Sequence, residues 1–579
     1  MGKGGLCMKL KESTGRKLRY GGVSALLTAL IIAAIVLVNV IFSALSQKFT
    51  LYTDLTPEEL FTLSDECIDL IENGDDTFAS SFSPIEMVDR LRAENKAYNA
   101  EHGLKAGDEG YRNERVMIQL IFCDEPDAWT EDVAMYYVYN TGLELQARFP
   151  DYIDVLNFNV VRNPSLVSKY KTNSTSIIGK DYVIVSLDTG ANDGLRYRIR
   201  GLESFYVMNT DDAANPEPWA YDGDKAFAAS ILAVTNAESP LACFTGNHRE
   251  TTSQYLEDAL YDAGYTIKAI DLKTEEIPAN CRLLVIFDPQ DDFLVKDGVS
   301  DVDELTKIDK HLDENTASLM VFFSPSTPTL PNLEEYLAEW GIQFDRDRDN
   351  NGHIVHDPSH SLDTAGTTVV GEYVTDNPAS KITEDMRNRT YPQSVIFKNA
   401  MSISYSDLYS PQRYTNSDET VSYEYGSYTK DGTSRAVYNL FITYDTAFSM
   451  ANGQKVEMAN ANNKPALMTV SVENHYTQES QYTSVNDASY VIACGSIEFV
   501  SQSLMESNAY GNNDLLLSAL RTVGQEPVPV GIRFKPFADK TIDTITTAEA
   551  TQYTVILTVI PPILALGAGV IIIVRRKNR

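Results

Sequence analysis

Between Pro240 and Phe344 short apolar runs alternate with segments of helical period. Leu241–Phe244, Leu283–Phe287 and Leu319–Phe323 are too short and too uniformly apolar for amphipathic helices. The stretches between them repeat apolar residues every three or four positions. This alternation predicts strands joined through helices into a parallel sheet with both faces covered. Strand Leu241–Thr245 ends at Gly246-Asn247-His248-Arg249-Glu250. The helix that follows has Tyr255, Leu256, Ala259, Leu260 and Ala263 on its buried face, with Glu257, Asp258 and Asp262 toward water. Thr251 is its expected N-cap, with Gln254 completing a capping box, and Gly264 its expected stop.

The flanking patterns set the domain plan. Upstream, Ser64-Asp65-Glu66 starts a helix, and Thr56-Pro57 starts another before it. Val116–Phe122, Tyr152–Asn159 and Asp181–Leu187 read as strands, Trp129–Phe149 as a helix and Gly194–Ile199 as a hairpin arm. Residues 47–211 are therefore expected to form a smaller α/β domain. Asp212–Tyr221, with two prolines, reads as a linker, and Asp222–Ala237 as a helix leading into the central sheet. Residues 222–345 hold the first part of that sheet. A Tyr-, Ser- and Thr-rich stretch, 346–488, alternates at period two over Val421–Tyr428, Ala436–Tyr444 and Ala466–Val472, which predicts a β-rich insertion. Residues 489–526 complete the sheet with strand Ser489–Cys494 and helix Asn512–Val523, and 527–552 form a membrane-proximal segment.

Two stretches change the setting. Gly21–Ser46 and Tyr553–Val574 carry no charge, and each exceeds the roughly 20 residues a helix needs to cross a bilayer. The first is longer and less cleavable than the apolar part of a signal peptide. The tails before and after them (1–20 and 575–579) are basic, so the positive-inside rule puts both termini in the cytoplasm and residues 47–552 outside, anchored in the cell membrane. The chain has net charge −33; the tails carry +5 and +4, which leaves −42 on the rest. That field disfavours nucleic acid as a partner. Five cysteines lie beyond the first apolar stretch (Cys67, Cys123, Cys243, Cys281, Cys494) with no C-x-x-C; a Cys243–Cys281 disulfide is an open pairing.

The order of short motifs resembles the GldG-type auxiliary proteins of ABC transport systems. The residues that carry the resemblance are DGDKAFAASILAVT, FTGNHRE, LYDAGYTIKAIDL, EIPANCRLLVIFDP, YLAEWGI and GSIEFVSQSLMESNAYGNNDLLLSALRTVG, with TDLTPEELFTLSDECIDLI near the first apolar stretch. The resemblance implies a flavodoxin-like central domain, two transmembrane helices, and ABC permease and ATP-binding subunits as partners, with an envelope protein or glycan as a further one. The family turn usually reads Gly-His-Gly-Glu; here Arg249 stands at the second glycine. No G-x-x-x-x-G-K-[ST] occurs, so this chain is not expected to be the ATPase.

Candidate chemistry converges on the carboxyl ends of the expected strands, where open α/β sheets place ligands. Gly246, His248, Glu250, Asp288 and Ser324 fall on that edge and form a candidate ligand- or partner-binding set. His248 with Glu250 has the composition of an acid/base pair, yet no G-x-S-x-G elbow supplies a nucleophile. No catalytic residue, metal or cofactor is expected. Two alternatives stand beside the auxiliary-subunit reading: an extracytoplasmic hydrolase or transferase using the 246–250 turn, and a sugar- or peptide-binding surface receptor. Asp347-Arg348-Asp349-Asn350-Asn351-Gly352 resembles the start of a calcium loop but has Pro358 where the bidentate Glu belongs. His353, His356 and His360 have metal-like spacing, but strand alternation turns His353 and His356 to opposite faces. In the second apolar stretch Gly567-Ala568-Gly569 would allow close helix packing against a permease.

Overall fold

The computed structural model describes Leu37 and residues 59–537, apart from 75–81, 132, 172–177, 192–193, 210–216, 237–238, 297–300, 419, 431–432, 457–463, 479–483 and 525–526. Among the described residues no helix is long and apolar enough to cross a membrane. The expected spans Gly21–Ser46 (Leu37 apart) and Tyr553–Val574 lie outside the described residues, as does the Thr56-Pro57 helix start. The chain divides into two units, residues 1–55 with 59–535 and residues 56–58 with 536–579. Of the second, only Pro536 and Phe537 are described.

The first unit is a mixed α/β structure with parallel and antiparallel sheets. Ser64 caps α1 (Asp65–Glu72) by accepting from the Cys67 N–H. Ser83 and Glu86 close a reciprocal capping box on α2 (Pro84–His102). Then come β1 (Ile118–Phe122), α3 (Val133–Arg148), β2 (Ile153–Asn157), β3 (Tyr182–Asp188) and β4 (Leu195–Gly201). They build a four-stranded sheet in the order β2-β1-β3-β4, parallel only between β1 and β2. The expected helix 129–149 corresponds to the helical segments Ala128–Glu131 and α3, on either side of residue 132. The expected linker 212–221 is corrected. Glu217–Tyr221 is a strand paired with Tyr206–Asn209, held because Ala220 and Tyr221 are buried and the Tyr221 hydroxyl lies 2.7 Å from Thr141 Oγ1.

Next is α4 (Gly223–Thr235), in which every residue is buried. Its small residues let neighbours approach on all sides, and it packs against β3, β4, α1, α2, α3 and the next helix along the chain. It is the pivot between the smaller sheet and the large one.

The large sheet begins with β5 (Leu241–Thr245), α5 (Gln254–Asp262), β6 (Thr266–Ile270), β7 (Cys281–Phe287), α6 (Glu304–Asn315), β8 (Ser318–Phe322) and α7 (Pro331–Glu339). It continues with β9 (Thr433–Ile442), β10 (Ala466–Gln478), β11 (Ser484–Cys494) and α8 (Asn512–Gly524). From one edge the order is β6-β5-β7-β8-β11, all parallel, which is the doubly wound order 2-1-3-4-5. At β11 the direction reverses. The antiparallel strands β10 and β9 follow, then Thr368–Tyr373 and Val395–Lys398. Much of the β-rich stretch 346–488 thus prolongs the same sheet, while Ile354–His356, Phe448–Ala451 and Gln454–Val456 form a separate three-stranded sheet.

Alternation explains the uniformly apolar strands. Leu283, Val285 and Phe287 of β7 enter one core beneath α5 and α8, while Leu284 and Ile286 enter the other beneath α6 and α7. Two details of α5 differ from expectation. Ser253, not Thr251, accepts the cap bond from Leu256 N–H, and Gln254 turns outward to Asp258. Gly264 does end the helix, at φ +86°, with Tyr265 N–H bonded to Leu260 O and Gly264 N–H to Tyr261 O, the paired bonds of a Schellman motif.

Candidate functional site

The turn after β5 is closed by its own side chains. Asn247 and Arg249 adopt left-handed backbone, φ +73° and +54°, which folds the peptide back so that His248 points inward. His248 is fully buried and stacks on Phe293 with ring centroids 3.8 Å apart. Its Nδ1 lies 3.0 Å from Glu250 Oε1 and its Nε2 3.1 Å from Glu304 Oε2. Burial alone would lower the imidazole pKa, but the hydrogen bonds to Glu250 and Glu304 overcome it and push it up to about 9. Both ring nitrogens therefore donate, and His248 is an imidazolium clamped between two carboxylates. Glu250 Oε2 also accepts from the His248 N–H, and Glu304 Oε2 from the Leu294 N–H. Arg249 occupies the backbone conformation that a glycine takes freely, and its guanidinium is anchored 2.7 Å from Asp291 Oδ2.

The other residues of the candidate set belong to a second, separate network. Asp288 Oδ1 accepts from the hydroxyls of Ser324 at 3.2 Å and Thr327 at 2.5 Å, and all three residues are buried. Gln290 joins the two networks: its N–H, like that of Asp291, donates to His248 O, and its side-chain amide donates to Asp288 O. At Gly246 an added Cβ would meet nothing nearer than Ile270 O at 3.6 Å, so no close approach requires this glycine. The carboxyl edge of the parallel sheet holds the expected residues, with their polar atoms turned to one another.

The other sequence candidates are also internally satisfied. Asp347 Oδ1 accepts from the N–H groups of Asp349 and Asn351, which makes the calcium-like stretch a self-bonded turn. His356 Nδ1 contacts Ala365 O, and His360 Nδ1 contacts Asp357 and Thr446. Cys243 and Cys281 are free buried thiols, not a disulfide. Asp313, Glu473 and His475 bring ligand atoms within 4.8 Å of one another, but Glu473 already accepts from Arg435 Nε at 2.5 Å.

An open cleft lies elsewhere, along α5. A cleft of about 470 Å³ lies between the end of β4, the N-terminus of α4, one face of α5, and the segments 505–514 and 532–534. Arg200 of β4 and Lys225 of α4 both bind Asp262 of α5, at 2.9 and 3.1 Å. Burial works against the ionised Asp262, but Lys225 and Arg200 win and hold its pKa below the usual range. Across the cleft Arg389 and Arg533 hold Asp514, at 2.7 and 2.9 Å. Three further carboxylates face the space without such partners. Burial raises Asp222 to about 7, with Lys225 opposing and Asp262 reinforcing the shift. Burial also raises Asp258 and Glu506, against hydrogen bonds from Gln254 and Gln502 and reinforced by Asp262 beside the first and Asp258 beside the second. The Asp222 Oδ1 is shielded from solvent and has no hydrogen-bond partner among the described residues.

No protein-family model and no curated protein matches this chain.

The cleft is a candidate site, with a volume in the small-molecule range and a few ionisable groups whose affinities for protons are shifted. The sequence pattern could not place it. Asp258 and Asp262 occupy the polar positions of α5 and read as solvated, yet Asp262 is drawn into an ion-pair network by residues 62 and 37 positions upstream. One signal was present: Asp222-Gly223-Asp224-Lys225 puts three charges at the start of a helix that is otherwise apolar on every side.

Proposed function

We propose that this protein is a non-catalytic, membrane-anchored auxiliary subunit of an ABC transport system, of GldG type, whose extracytoplasmic part binds a substrate or envelope partner. The observation that carries the reading is the placement of the motifs. DGDKAFAASILAVT is α4 with its flank, FTGNHRE the end of β5, LYDAGYTIKAIDL the passage from α5 to β6, and EIPANCRLLVIFDP leads through β7. GSIEFVSQSLMESNAYGNNDLLLSALRTVG runs from the end of β11 through α8. The resemblance therefore follows consecutive elements of one sheet, and the 2-1-3-4-5 order is what a flavodoxin-like central domain requires. Gly21–Ser46 and Tyr553–Val574 would supply the anchors, with residues 47–552 outside the membrane. The imidazolium of His248, engaged at both nitrogens, supports a structural role for the 246–250 turn over the hydrolase alternative.

Affinity purification of the full chain from membranes in a mild detergent tests the reading. An ABC permease and its ATP-binding subunit should be recovered with it. Recovery of the chain without either, at detergent levels that preserve other membrane complexes, would overturn it.

A further inference from the structure

Where α6 crosses the end of β10, a mixed group of side chains gathers that belongs neither to the turn after β5 nor to the cleft along α5. Asp309 and Asp313 stand four residues apart on α6, hence on one side of it; Glu473 and His475 stand two apart on β10, hence on one face of the sheet. Arg435 of β9, Glu473 of β10 and Ser489 of β11 lie directly opposite one another across the three strands. Among the described residues, Asp313, Glu473 and His475 are the group that brings three metal-ligating atoms within 4.8 Å of one another, and its Asp313 side is exposed.

The hydrogen bonds around this group leave ligand atoms over. Ser489 donates its one hydroxyl proton to Leu312 O at 2.9 Å, so toward His475 Nε2, 3.0 Å away, its oxygen accepts. That puts the proton of the neutral imidazole on Nε2 and leaves Nδ1 as a bare lone pair. A histidine ligand is usually set in this way, with its second ring nitrogen donating to a neighbour. Glu473 is only 3% exposed, yet the bond from Arg435 Nε, at 2.5 Å, takes Oε2 alone. A carboxylate buried so far ordinarily has both oxygens engaged, and Oε1 has no hydrogen-bond partner among the described residues.

Arg435 does not fill the gap, because it is held elsewhere. Its guanidinium lies 4.0 Å over the Trp340 ring and 3.3 Å from Asp309 Oδ1. It orients Glu473 and leaves three carboxylates, Asp309, Asp313 and Glu473, against one guanidinium. Burial raises the Asp313 carboxyl, Glu473 adds to the shift, and Arg435 offsets it only in part. A dication would cancel the remaining charge. The donor set, two carboxylates and one imidazole, selects its kind: magnesium and calcium take oxygen ligands, whereas an imidazole suits the transition metals.

We propose that Asp313, Glu473 and His475 bind one divalent transition-metal ion of the zinc or manganese kind, which clasps α6 to the antiparallel half of the large sheet. Zinc holds such ligands at about 2.0–2.2 Å. Asp313, exposed and with no hydrogen-bond partner among the described residues, is the ligand placed to close onto the ion. The site goes beyond the transport reading and does not depend on it.

Isothermal titration of the full chain in detergent, without a polyhistidine tag and after dialysis against a chelator, tests it with zinc chloride and with manganese chloride. At least one of the two ions should bind saturably, at about 10 µM or tighter. Asp313→Asn and His475→Gln should each weaken that binding at least about ten-fold. The glutamine can still donate to Ser489, so its effect reads the lost ligand atom. His360→Gln, at a separate histidine beside Asp357, should leave the affinity unchanged. If His475→Gln fails to fold, Asp313→Asn, on an exposed residue, decides alone. Absence of saturable binding by both ions, unchanged affinity in Asp313→Asn, equal weakening by His360→Gln, or full competition by equimolar magnesium would each overturn the site.

Discussion

His248 shows how a residue chosen for its chemistry can be consumed by its surroundings. Its composition with Glu250 suits proton transfer, but in the fold it bridges two acidic side chains, Glu250 and Glu304. Removing one member of such a group leaves the rest uncompensated, at a cost of about 3–5 kcal/mol. His248→Ala should therefore lower the unfolding free energy by that much, measured by urea denaturation at neutral pH. The pH dependence has a definite sign. The folded-state value near 9 lies above the unfolded value near 6.5, so the stabilisation is complete below pH ~6.5 and is lost as pH rises through 9. Melting temperature should fall between pH 6.5 and 9.5, and His248→Gln should flatten that slope; an unchanged slope would remove the imidazolium from the account. Asp222 gives a slope of the same sign in a lower pH window. Its carboxyl is raised from 3.8 to about 7, so stability falls as pH climbs from about 4 to about 7 and levels off above that. Asp222→Asn should raise the melting temperature at pH 8 and have little effect at pH 5.

At the scale of elements, α5 separates what local pattern can and cannot specify. Its apolar face, its length and its C-terminal glycine follow from spacing, because a helix buries residues at every third or fourth position whatever it packs on. Its N-cap did not. Thr251, Thr252 and Ser253 are chemically near-equivalent, and the choice falls to Ser253, whose hydroxyl also donates to Val500 O at 3.2 Å. Ser253→Ala should cost about 1 kcal/mol and Thr251→Ala close to nothing, read from chemical denaturation. Gly264→Ala should cost at least about 1 kcal/mol, because φ +86° is unfavourable for any residue with a Cβ.

For the whole molecule, the deciding feature is that β11 lies between β8 and β10 and belongs to both halves of the large sheet. Residues 222–345 supply four parallel strands but leave β8 as an edge whose apolar side chains Leu319, Val321 and Phe322 are fully buried in the complete structure. A fragment ending at 345 should therefore fail to give dispersed amide resonances, whereas a fragment spanning 59–535 should. A sharp, cooperative unfolding transition of the shorter fragment would show that the sheet does not depend on its distant strand.

The sequence by itself determined the α/β class, the positions of most strands and helices, the doubly wound core, and the carboxyl-edge location of His248, Asp288 and Ser324. Those features rest on periodicity and on turn and cap chemistry, which act over a few residues. Tertiary structure alone decided that Glu217–Tyr221 is a strand, that the 346–488 stretch continues the central sheet, and that the carboxyl-edge residues bond to one another. It also decided that an open cleft runs along α5, where Arg200, Lys225 and Asp262 meet from three separate elements. Charge pairing across such distances leaves no period in the chain, because burial and Coulomb attraction depend on where side chains meet and not on how far apart they stand in sequence.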